Sequence, residues 1–368
     1  MTKKICMVVT DAVSFNVLCR GQLEFLTENY DVDLTLVSGG GKKDILDLEK
    51  RRLGRFFYIP FQRKPSVFRD FYCLLMLWFF FLRNRFDVVV YSTPKAMLIT
   101  SLATFFSFQR VRFSILRGRV YESYVGFKRR LYLLFDKIVI SLSTANLAIS
   151  HSLKKSYCDD GFNKEIIHVL GEGSSNGVDV DVFCPSRCAA FKCSSMRVGV
   201  VGRICKDKGI LQVLEVIKRV KLVNPDVEFF LVGDIEDADG IEAVREMVEN
   251  SLATHYAYTD DVSLLFSGID AHLFLTHREG FGNVALEAAA CSVPTFAFDV
   301  VGVRDSVKDG VTGVIFEFDD IESVVSEIVA AASDLRLFKS KYPLARQWAI
   351  DNFEQKMVWE NYFDFFLK

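Results

Sequence analysis

Ile269-Asp270-Ala271-His272-Leu273-Phe274-Leu275 leads directly into Thr276-His277-Arg278-Glu279-Gly280-Phe281-Gly282-Asn283-Val284-Ala285-Leu286-Glu287. The first run is short and apolar, the pattern of a buried strand. Ala285 to Ala290 is small and helix-favouring, and Asn283 stands where an N-cap belongs. Between them, Gly280 and Gly282 let the backbone come close to a ligand, and a helix start offers unpaired N–H groups to an anion. The stretch therefore reads strand, glycine turn, helix. Glu279 falls in the turn and Glu287 one turn into the helix.

Working outward, the same alternation recurs. Arg197 to Val201 is a strand running into Gly202-Arg203-Ile204-Cys205-Lys206-Asp207-Lys208-Gly209, and Ile210 to Val223 has helical spacing. Val227 to Val232 and Pro294 to Phe298 are further strands, Gly310 to Phe316 a turn and a last strand, and helices start at Ile321 and Leu344. In the first half, strands are expected at Ile5 to Thr10, Asp31 to Val37, Phe56 to Ile59, Phe86 to Ser92 and Val111 to Leu116. A helix is expected over Phe15 to Glu28, and another strand and a turn over Ile138 to Ser150. Strand–helix–strand order in both halves predicts an α/β chain of two doubly wound parallel sheets. The glycine- and serine-rich Gly171 to Asp179 and the polar Pro185 to Ser195 break the composition. The expected domains are 1–190 and 191–345, with 346–368 as a terminal helix returning to the first.

Phe71 to Leu82 is an unbroken apolar run, well short of the roughly 20 residues that a spanning helix needs. It reads either as a core helix of the first domain or as an apolar face that dips into a membrane interface. The start of the chain is too short in its apolar part to be a leader and soon meets Asp11, so a cytoplasmic location is expected. The nine cysteines contain no C-x-x-C pair, and no metal site is expected. The net charge of −2 conceals an asymmetry: residues 1–170 carry 26 Lys+Arg against 15 Asp+Glu, and the remainder 19 against 32. A basic half predicts an anionic partner. No basic-aromatic module points to nucleic acid, whereas an anionic membrane surface or a phosphorylated lipid fits.

Two cations, Arg203 and Lys208, lie near a helix start, and the turn Gly280–Asn283 offers backbone N–H groups. Together they resemble a diphosphate clamp of the kind that stabilises the growing charge of a leaving phosphate, although each piece alone is weak. It is neither a Walker loop nor a dinucleotide fingerprint. Glu279 and Glu287 as paired carboxylates also suggest glycoside hydrolysis, but the neighbouring cations point to a phosphate leaving group rather than to attack by water. Arg117 follows a strand's carboxyl end, where ligands bind in open α/β sheets.

Glu279 and Glu287 around Gly280-Phe281-Gly282 resemble the signature of the group-4 retaining glycosyltransferases of GT-B fold. Gly202-Arg203 with Lys208-Gly209, Gly233-Asp234 and the Gly302…Asp309-Gly310…Thr312-Gly313 tail match that family in order. The first half is similar to its polysaccharide-assembly branch (capsule, O-antigen, lipopolysaccharide) through Thr93-Pro94-Lys95-Ala96, Arg117-Gly118…Tyr121-Glu122 and Gly173 to Asp179. The resemblance covers nearly the whole chain. It implies two Rossmann-like domains facing a cleft, with the donor on the second and the acceptor on the first. Arg203 and Lys208 would grip the diphosphate of a nucleotide-sugar, Glu279 the donor-sugar hydroxyls and Glu287 the ribose. Gly202 and the backbone of Gly280, Phe281, Gly282 and Asn283 would line the phosphate and sugar, and the base would lie near Tyr256–Asp260, with Tyr258 as its contact. Asp11, Thr93, Lys95, Arg117 and Glu122 are the acceptor-side candidates.

The implied reaction moves a sugar, with retention and without a metal or other cofactor, from a UDP-sugar to a polyprenyl-diphosphate-linked glycan at the inner membrane face. Some members carry His where this chain has Arg117, and Cys291-Ser292 stands where a small residue and Gly are common. A GT-B sugar-nucleotide epimerase and a non-catalytic GT-B subunit are the competing readings. The first lacks support because the Glu279–Glu287 motif belongs to transferases. The second is opposed by the intact Arg203, Lys208, Glu279 and Glu287.

Overall fold

The apolar runs assemble into two separate parallel sheets. A computed structural model describes residues 2–62, 64–185, 195–257 and 262–368. The first sheet has seven strands: β1 (Lys3–Asp11), β2 (Val32–Gly39), β3 (Arg55–Tyr58), β4 (Val88–Ser92), β5 (Arg112–Leu116), β6 (Ala145–Ala148) and β7 (Ile167–His168). Its order is β3-β2-β1-β4-β5-β6-β7. The second has six: β8 (Arg197–Val201), β9 (Glu228–Val232), β10 (Thr254–Tyr256), β11 (Ala271–Phe274), β12 (Thr295–Phe298) and β13 (Gly313–Phe316), in the order β10-β9-β8-β11-β12-β13. Every neighbouring pair is parallel. Each sheet reverses its winding once, between β1 and β4 and between β8 and β11, so each has a switch point where ligands bind in such folds.

The chain divides into a first unit of Met1–Asn176 with Val358–Lys368, and a second unit of Gly177–Met357. The division lies ahead of the expected 190/191 boundary. Within the last stretch, helix Ala345–Phe353 belongs to the second unit, while most of helix Gln355–Leu367 belongs to the first. The reason is aromatic. Trp359, Tyr362, Phe363 and Phe366 are buried, with Phe363 stacked on Phe25 at 6.4 Å and Phe366 on Phe113 at 5.6 Å. The indole N–H of Trp359 donates to the side-chain oxygen of Asn176 at 2.9 Å, and the Tyr362 hydroxyl donates to the Ser174 carbonyl at 3.0 Å.

Three local expectations are corrected. Phe15 to Glu28 is not one helix but two, Ala12–Leu18 and Gln22–Asn29, broken where Gly21 takes φ +75° against the Trp359 ring. Ile138 to Leu142 closes helix Gly126–Leu142 and is not strand; β6 begins only at Ala145. Asn283 is the first residue of helix Asn283–Ala290, whose cap is Gly282.

Because the returning helix completes the first core, Trp359→Ala should lower stability by about 3–5 kcal/mol, the usual cost of deleting a buried large aromatic. A thermal-unfolding scan read by a probe in the first sheet checks this. The transition of the second unit should hardly move.

Candidate functional site

The loop after β8 and the segment after β11 meet at the second sheet's switch point, and glycine makes the meeting possible. Gly209 (φ +74°) starts helix Ile210–Val223, and a Cβ there would lie 1.9 Å from the Leu275 carbonyl oxygen. The two backbones are in direct contact. Asp207 then stitches them together: its carbonyl accepts from the backbone N–H of His277 at 3.0 Å and from the Thr276 hydroxyl at 3.3 Å. Its carboxylate pairs with Arg278. This register places the Lys208 ammonium on the Glu279 carboxylate, an ion pair with both side chains mostly buried.

The rest of the turn is packed just as tightly. Gly302, in the loop after β12, lies against the backbone of Glu279 and Gly280, where a Cβ would meet the Glu279 oxygen at 2.8 Å. Gly282 (φ +88°) fits beneath Ser306 and Phe274. The Phe281 ring is turned inward onto Phe353, with ring centres 5.3 Å apart, so only its backbone is left to line a ligand. Gly202 leaves β8, and its carbonyl presses on Gly233, where a Cβ would lie 1.9 Å away. Arg203, more than half exposed, pairs with Glu236 at 2.6 Å.

The two carboxylates differ in kind. Glu279 is neutralised by Lys208. The Glu287 side chain finds no hydrogen-bond or ion-pair partner among the described residues, and burial pushes its pKa up to about 7. A poorly hydrated carboxyl without a partner is costly unless a ligand supplies one. Tyr258 lies outside the described residues. Tyr256, on β10, stacks on Phe230 at 6.4 Å.

The acceptor-side candidates are all in the first unit but are not equivalent. At that sheet's switch point, the Thr93 hydroxyl accepts from the Thr10 backbone N–H at 2.9 Å and meets the Thr10 hydroxyl at 2.8 Å. Thr93 itself has φ +73°, a strained conformation for a β-branched residue. Asp11 caps helix Ala12–Leu18 by accepting from the Val13 N–H at 3.2 Å. Lys95 is held by Asp70 at 2.8 Å, and Glu122 by Arg119 at 2.8 Å. Arg119 also pairs with Asp160 at 2.7 Å. Arg117 differs from these: its guanidinium donates to the hydroxyls of Ser92, at 2.9 Å, and Ser175, and meets no carboxylate among the described residues.

Sequence reading missed Asp207 and Glu236 as organisers of the site, and had Gly302 only as part of the family's motif tail. The signal available was position alone, since each lies in a loop at a strand's carboxyl end.

Glu287 generates a pH prediction. Its folded pKa is raised above the ordinary 4.5, so the unfolded state ionises first as pH rises, and stability is lost between about pH 4.5 and 7. Glu287→Gln removes this titration. Relative to wild type, its stability should rise by about 1–3 kcal/mol between pH 5 and pH 8, measured by denaturant unfolding at each pH.

With this geometry in place, the chain was compared with known proteins. The profile of the family described as "Glycosyl transferases group 1" matches residues 194–341. The capsular polysaccharide biosynthesis glycosyltransferase CapM of Staphylococcus aureus is 31% identical over 367 residues, which span 97% of this chain and 95% of CapM. The UDP-Gal:alpha-D-GlcNAc-diphosphoundecaprenol alpha-1,3-galactosyltransferase of Escherichia coli is 22% identical, over 83% of this chain and 81% of its own. Among solved structures, Anabaena HepE in complex with UDP and glucose superposes with a TM-score of 0.81 at 17% identity, over 99% of both chains.

Proposed function

This chain belongs to the glycosyl transferases group 1 family and has the GT-B fold, and on that footing we propose that it is a retaining UDP-sugar transferase of capsule or related polysaccharide assembly. Its acceptor is a glycan carried on a polyprenyl diphosphate. The observation that carries the reading is the Lys208–Glu279 pair at the second switch point, beside the glycine-capped start of helix Asn283–Ala290. A nucleotide diphosphate has the charge that Lys208, Arg203 and the positive end of that helix would meet. Once phosphate oxygens take over Lys208, Glu279 is released to accept hydrogen bonds from hydroxyls of the donor sugar. Glu287, whose side chain has no protein partner among the described residues, suits the ribose diol.

In the proposed reaction the acceptor hydroxyl oxygen bonds to the anomeric carbon on the face that the diphosphate leaves. The carbon–oxygen bond to phosphate breaks, and a phosphate oxygen takes the hydroxyl proton. Lys208, Arg203 and the helix N–H groups stabilise the charge that grows on the diphosphate, so the scheme calls for no metal. The names of two relatives support the substrate classes: CapM belongs to capsule biosynthesis, and the Escherichia coli enzyme is named for a UDP-sugar and a diphosphoundecaprenol acceptor. Arg117, whose guanidinium meets no carboxylate among the described residues, is the first-unit residue best suited to the acceptor's diphosphate.

Two outcomes check this. Lys208→Ala and Glu279→Ala should each lower kcat/KM by about 100- to 1,000-fold with the fold intact by circular dichroism, and near-wild-type turnover in both would overturn the reading. Arg117→Ala should raise the KM for the lipid-linked acceptor while leaving the UDP-induced shift in unfolding temperature unchanged.

A further inference from the structure

Helix Val67–Arg83 has two apolar faces. Cys73, Leu77 and Phe81 are buried against the first unit. On the opposite side, Phe68, Tyr72, Phe79 and Leu82, with the half-buried Leu75 between them, follow helical spacing as an outward stripe; Phe68 is 90% and Phe79 47% exposed. A helix that is apolar all round belongs in a core or against an apolar partner, yet among the described residues nothing covers this side. No helix among the described residues is long and apolar enough to cross a membrane.

The charges around the stripe identify the partner. Arg69 and Arg83 flank it, and the helix's one acidic residue, Asp70, is engaged by Lys95 at 2.8 Å. The pattern recurs on helix Gly126–Leu142, which packs on the same intervening helix, Pro94–Phe106. Its exposed positions include Phe127, Lys128, Arg130, Leu134 and Lys137, while Asp136 accepts from the Tyr157 hydroxyl at 3.0 Å. Both helices follow a strand and precede the next parallel one, so both begin at the carboxyl edge of the sheet, where Thr93 and Arg117 lie. Exposed aromatic and aliphatic side chains interleaved with lysine and arginine, with the acids engaged elsewhere, match the headgroup–acyl boundary of an anionic bilayer.

We propose that the outward faces of Val67–Arg83 and Gly126–Leu142 form one docking surface for a lipid bilayer containing anionic lipid. The surface stands on these side chains alone and does not depend on which donor or acceptor is used.

The test is flotation of the full-length protein with vesicles of equal parts phosphatidylglycerol and phosphatidylcholine, without donor or acceptor. Wild type should float with these vesicles and far less with pure phosphatidylcholine. The double variant Phe68→Glu, Phe127→Glu should lose roughly tenfold or more of its partitioning. Trp78 lies on the same helix, half-buried, with its ring 5.1 Å from that of the stripe residue Phe79; vesicles of brominated lipid should quench tryptophan fluorescence in wild type but much less in Trp78→Phe, a readout that survives if the double variant fails to fold. Equal flotation of variant and wild type, absence of wild-type binding, or quenching unchanged in Trp78→Phe would overturn the proposal. So would a wild-type dimer in light scattering that Phe68→Glu converts to monomer, because the stripe would then be an interface between two copies.

Discussion

The close approach of Gly209 to the Leu275 carbonyl governs the site. With 1.9 Å between that oxygen and the place a Cβ would take, no other residue lets the loop after β8 lie on the end of β11. Given the contact, Asp207 fixes the register, and Lys208 meets Glu279 although 71 positions separate them in sequence. The Glu279 carboxylate gives this mostly buried lysine its counter-charge. In the proposed reaction the pair acts as a reserve. It stores a cation and an acceptor of hydrogen bonds in mutual contact, and a ligand carrying both phosphate and hydroxyl groups can engage the two together.

Both units use the same topology but equip it differently. At the second switch point the sheet ends in glycine loops and paired charges. At the first, the Thr10 and Thr93 hydroxyls meet, and Thr93 is held in a strained backbone conformation. The contrast follows the charge asymmetry only in part. Many cations of the basic half are engaged by their own neighbours, as Lys95 is by Asp70 and Arg119 by Glu122 and Asp160. Arg117 is set apart by its surroundings, not by its sequence number.

Strand positions and the winding of both sheets could be read from the sequence because apolar runs and glycine turns are local signals. The break at Gly21 was missed: a glycine inside a helical run is only a weak breaker signal, and the Trp359 ring packed against it comes from far away in the chain. The strand expected from Ile138 failed for a related reason: the same β-branched residues suit a strand or the last turn of a buried-face helix, and packing decided between them. In the site, the residue types of Arg203, Lys208, Glu279 and Glu287 were legible. Their states were not, because one carboxylate is paired and the other left alone by contacts that no spacing encodes.

The return of Val358–Lys368 to the first unit has a consequence for biogenesis. The first sheet is translated early, but Trp359, Tyr362, Phe363 and Phe366 emerge from the ribosome only after the whole second unit. The nascent first unit must wait with the Phe25 and Phe113 side of its core uncovered, while the second unit can close on itself beforehand. The first unit, begun first, is therefore completed last.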